Sequence, residues 1–127
     1  MKIYDPAKAP DPAEWLDMDE QERISLVEAH HRAAKIKLPN VKLHAAFHAA
    51  VENQLAEGLT SPGNAMTRLQ KEGLSRHDAL HAVAAVISDH LYGLMKDPAL
   101  ASSSQARLDA TLEKLTVKEW RRKYGGG

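Results

Sequence analysis

The sequence predicts an all-α fold, a small antiparallel helical bundle with short C-terminal helices. Two observations carry that prediction. No stretch shows the two-residue alternation of a half-buried strand, and Ala, Leu, Glu and Lys dominate segments whose apolar residues recur every three or four positions. Capping residues also stand ahead of most of those segments, so each predicted helix has a local reason to start where it does.

Taken in order, prolines 6, 10 and 12 keep the first dozen residues out of regular helix, although Asp11 before Pro12 can start a short turn through Trp15 and Leu16. Residues 1–18 therefore read as an arm. Asp19 and Glu22 form a D-x-x-E capping box, and Ile24, Val27, His31 and Ala34 recur at helical spacing until "KIKLPN" ends a helix of roughly 20–36. Asn40 can cap the next helix, with Leu43, Phe47, Val51 and Leu55 as its apolar positions and Gly58 as its stop. In "TSPGNAMTRLQKEG", Ser61 reads as a cap, Pro62 as the first helical residue and Gly73 as the stop.

Ser75 and Asp78 make an S-x-x-D cap for a helix that runs to about Lys96 despite Gly93. After the serine-rich "DPALASSSQ" come "QARLDATLEKL" and then "VKEWRRKY", the latter capped by Thr116 with Glu119; the last three glycines read as a frayed tail. This divides the chain into an arm over 1–18, a helical bundle over 19–96 and a helical tail over 97–127. At 127 residues the whole is short enough to read as a single unit.

Composition narrows the function. Lys plus Arg and Asp plus Glu both number 17, so no net field favours a polyanion or an anionic membrane surface; nucleic acid is not the expected partner. The chain has no cysteine, which removes disulfides and thiolate ligands and leaves nitrogen and oxygen for any metal. The opening "MKIYDPAKAPDPAEW" has neither the run of a signal peptide nor that of a membrane anchor, and the default location is cytoplasmic. The seven histidines, at 30, 31, 44, 48, 77, 81 and 90, are the compositional oddity.

Their spacing is the functional signal. In "LHAAFHAAVENQ", His44, His48 and Glu52 stand four apart, and in "RHDALHAVAAVISDH" His77 and His81 do the same with Asp89 downstream. Residues four apart on an α-helix differ by about 40° in direction and about 6 Å along the axis, so each set is a shallow stripe that borders the apolar face. Two imidazoles at that spacing can close on one divalent cation, and a pair from each of two facing helices would complete a tetrahedral shell. The candidate metal ligands are therefore His44, His48, Glu52, His77, His81 and, on the face of Ile24 and Val27, His31. His44 and Glu52 are about 12 Å apart along the axis, so two ions also fit the pattern. His30 is expected to face outward, and His90 projects away from His81. The bland alternative is a hydrogen-bonded network of core-edge histidines.

The segments "KLPNVKLHAAFHAAVENQ" and "EGLSRHDALHAVAAVISDHL" resemble a family of small bacterial all-helical proteins, a domain of unknown function, over about residues 20–96. The resemblance implies a helical domain in which His44, His48, Glu52, His81 and Asp89 act as a unit; it implies no activity. "RHDALH" also contains the His-Asp doublet of the helical metal-dependent phosphohydrolases. Asp78, however, sits where a capping acid belongs, and the chain is short for that fold.

Three functions follow as expectations. With Zn, Fe, Mn or Ni bound and one position open, Glu52 or Asp89 would serve as the catalytic general base of a hydrolysis. A closed four-histidine shell would instead staple helices together. In the third, the tail "TVKEWRRKYGGG", with Trp120 and Tyr124 four apart beside Arg121, Arg122 and Lys123, docks a protein partner or a second copy of the chain; the plainer reading has it folding back on its own domain.

Overall fold

The computed structural model describes residues 3–33 and 41–124. Among them the structure is all-α, with seven α-helices: α1 (Pro12–Asp17), α2 (Glu20–Ala33), α3 (Val41–Ala56), α4 (Thr60–Lys71), α5 (Arg76–Lys96), α6 (Ser104–Lys114) and α7 (Val117–Tyr124). A 3-10 turn, Pro98–Ser103, replaces the irregular connection expected before α6. The expected end of α2 at 34–36, the "LPN" stop, the Asn40 cap and the closing glycines lie outside the described residues. No helix among those residues is long and apolar enough to cross a membrane.

The local signals act as expected at most helix starts. Asp11 accepts the Glu14 amide at 3.0 Å, Asp19 the Glu22 amide at 2.8 Å, Ser75 the Asp78 amide at 3.1 Å and Thr116 the Glu119 amide at 3.1 Å. Each bond satisfies one of the amides that a helix N-terminus leaves open. Helix α4 differs: it begins at Thr60, which puts the expected cap Ser61 and Pro62 inside its first turn. Proline is tolerated there because the first-turn amides have no intrahelical acceptor in any case. Gly58 (φ +74°) and Gly73 (φ +110°) supply the left-handed backbone that ends α3 and α4.

Tertiary contacts group the chain into two units, residues 1–59 and 60–127. In the first, α3 packs against both α1 and α2. Its core is Tyr4, Trp15, Val27, Ala45 and Ala49, flanked by Met18, Ile24, Leu26 and Ala56. A polar hub on α3 locks the packing: Asn53 Oδ1 accepts from Trp15 Nε1 at 2.9 Å and from Arg23 Nη1 at 3.0 Å, while its Nδ2 donates to Glu20 at 3.1 Å. One amide thus ties together side chains from α1, α2 and α3.

In the second unit α4 packs on α5 and α6, and α5 packs on α6. Leu69, Leu80, Val83, Leu112 and Trp120 are among its buried apolar residues. Arg68 donates to the carbonyls of Leu112 and Leu115, at 3.1 and 2.8 Å, and so satisfies the end of α6. The basic-aromatic tail folds back onto this unit. Trp120 is buried, and the Val117 amide at the start of α7 donates to Glu72 at 2.8 Å. Truncating a fully buried side chain in such a core leaves a void, so Leu112→Ala is expected to lower unfolding free energy by about 2–5 kcal/mol, measured by chemical denaturation.

Candidate metal centre

The candidate centre is built by α2 and α3 of the first unit. Heptad-like placement of Val27 and His31 on α2, and of Ala45, His48, Ala49 and Glu52 on α3, turns all six inward; each is buried. The small Ala45 and Ala49 leave room beside them for the larger imidazoles. His31 and His48 are fully buried, and His44 is partly covered.

The three rings meet. Centroids lie 4.7 Å apart for His31 and His44, 4.9 Å for His31 and His48, and 4.6 Å for His44 and His48. Each ring offers a nitrogen within 4.8 Å of those of the other two. Zinc-nitrogen bonds of about 2.0–2.1 Å set tetrahedral ligands roughly 3.4 Å apart, so small torsional adjustments would close the group on an ion.

The backbone fixes which nitrogen of His31 faces inward. Nδ1 lies 2.8 Å from the Val27 carbonyl oxygen one turn earlier. A carbonyl only accepts, so Nδ1 carries the proton and Nε2 carries the lone pair. This carbonyl–imidazole arrangement orients a metal-binding histidine.

The carboxylates around the centre have other partners. Glu52, one turn past His48, accepts a hydrogen bond from the Tyr4 hydroxyl at 2.5 Å. Glu28, buried in the turn before His31, pairs with Arg32. His30 does not point simply outward: it is half-buried, with its ring edge-on to Tyr4 at 6.2 Å and to His31 at 5.5 Å. Burial lowers its pKa, the neighbouring His31 lowers it further, and Asp5 opposes both.

The second unit holds the other sequence candidates. His77 and His81 form the expected pair on α5, with centroids 4.5 Å apart. Asp89 stands two turns beyond His81, about 12 Å along the axis. Its carboxylate is ion-paired to Lys123 at 2.9 Å and accepts from the Tyr124 hydroxyl at 3.4 Å, so it serves the docking of α7. His90 bonds Ser104 at 2.7 Å, and Asp78 is an exposed residue of the α5 cap. A cleft of about 380 Å³ in this unit is lined by Val86, Thr111, Lys114, Glu119, Lys123 and Tyr124 and contains none of the candidate ligands.

Tyr4 is the residue that sequence reasoning missed. The signal was an aromatic residue among charges and prolines at the start of the arm, a side chain with much to gain from cover. Comparisons with family models, curated proteins and solved structures find no match to this chain. Because Asp89 is already paired at an exposed position, Asp89→Asn is expected to leave metal stoichiometry unchanged and to cost no more than about 1 kcal/mol, read by elemental analysis and denaturation.

Proposed function

We propose that the protein binds one divalent transition-metal ion through His31, His44 and His48 of the first unit. The observation that carries this reading is the convergence of three imidazoles in the first unit, with the His31 tautomer set by its own helix. A wholly imidazole donor set suits Zn, Ni, Cu or Fe and disfavours Mg and Ca, which require oxygen. Mn, among the metals expected from the sequence, loses ground because it favours oxygen ligands and the converging donors are imidazole nitrogens.

A shell closed by a fourth ligand would make the ion a structural or sensing element, and the full burial of His31 and His48 supports that role. Binding would then contribute directly to folding stability, because the unfolded chain has no preformed site. The second reading is hydrolytic. If no further protein ligand closes the shell, three imidazoles leave one position for water, and Glu52, buried one turn beyond His48 on α3, is the candidate base. The resemblance of residues 20–96 to small bacterial helical proteins would extend either role to that family.

Elemental analysis of protein purified without a metal-affinity tag should find about one ion per chain. A His31→Ala, His48→Ala double variant should lose it; retention of both metal and melting temperature would sink the proposal. Stripping the ion with a chelator separates the two roles. A closed structural site predicts a large drop in melting temperature on stripping, whereas an open catalytic site predicts a small drop together with loss of hydrolysis of a simple aryl ester.

A further inference from the structure

The N-terminal arm bears on the same centre, and this inference rests on the metal reading above. Ile3, Asp5 and Ala7 to Ala9 are exposed, yet Tyr4 between them is only 2% exposed. Its hydroxyl donates to Glu52 on α3, its ring packs on Trp15 at 5.6 Å, and it stands nearly perpendicular to the His30 ring on α2. Glu52 is one turn from His48, and His30 is the neighbour of His31. Tyr4 therefore grips both ligand-bearing helices, each time one step from a ligand.

We infer that residues 3–18 form a clasp whose docking is coupled to metal loading, with Tyr4 as the positioning residue. The ion and the clasp both hold α2 against α3. Whichever binds first removes part of the ordering cost of the other, and the coupling is reciprocal by thermodynamic linkage. Metal should protect the arm, and loss of the Tyr4 hydroxyl should weaken metal.

The test uses the full chain and zinc ion alone. Zinc affinity is measured by competition with a chromogenic chelator for wild type, Tyr4→Phe and Leu112→Ala. The last variant is a control destabilised in the core of the second unit. Tyr4→Phe should bind about 5- to 30-fold more weakly with unchanged stoichiometry, while Leu112→Ala keeps near wild-type affinity. In parallel, zinc should slow tryptic cleavage after the exposed Lys8 in wild type and do so much less in Tyr4→Phe. Wild-type affinity in Tyr4→Phe, equal losses in both variants, or cleavage at Lys8 indifferent to zinc would each overturn the clasp. If wild type binds no zinc at all, the metal centre itself fails, an outcome distinct from a centre that binds zinc without the arm.

Discussion

Everything distinctive in the first unit depends on the packing of α2 against α3. That single helix pair sets His31 against His44 and His48, and it buries two of those imidazoles completely. The apolar area that drives the contact is modest, since Val27, Ala45 and Ala49 are small side chains. Alanine contributes in another way: it lets helices approach closely and leaves space for bulkier neighbours. Polar bonds then add direction, through Asn53 to Trp15, Arg23 and Glu20 and through Tyr4 to Glu52. A core in which the large buried groups are polar is specific only if those groups are satisfied, which makes this pair sensitive to small changes.

The acidic residues show how similar side chains acquire different tasks. Glu52 and Glu28 are both buried, but a neutral phenol holds the first and a cation the second. Asp89 is exposed and accepts a hydrogen bond from the Lys123 ammonium, the contact that chiefly raises the Lys123 pKa. Tyr124 is pushed up mainly by burial, and the nearby Asp89 carboxylate adds to the shift. The acid that resembled a catalytic base in the sequence is therefore part of how α7 is held.

The helices were legible because their causes are local. A cap and its amide lie three residues apart, and a left-handed glycine needs only its own missing side chain, so Asp11, Asp19, Ser75, Thr116, Gly58 and Gly73 could be read directly. Ser61 misled because Thr60 can open the same turn and Pro62 fits any first-turn position. The centre was legible in part. Four-residue spacing placed His44 with His48 and His77 with His81, and helical projection put His31 on the inner face. Spacing could not reveal that Tyr4 reaches Glu52 across 48 residues, or that Asp89 meets Lys123 and Tyr124, because such pairings exist only after the helices have packed.

The distribution of tryptophan has a consequence of its own. The chain has two, Trp15 in the first unit and Trp120 in the second, and both are buried. Each half thus carries a native fluorophore in its interior, Trp15 bonded to an amide oxygen through its indole and Trp120 seated midway along α7. Replacing either one leaves an optical signal that belongs to a single half, so whether the halves melt together or in succession becomes a question two emission curves can answer without any added label.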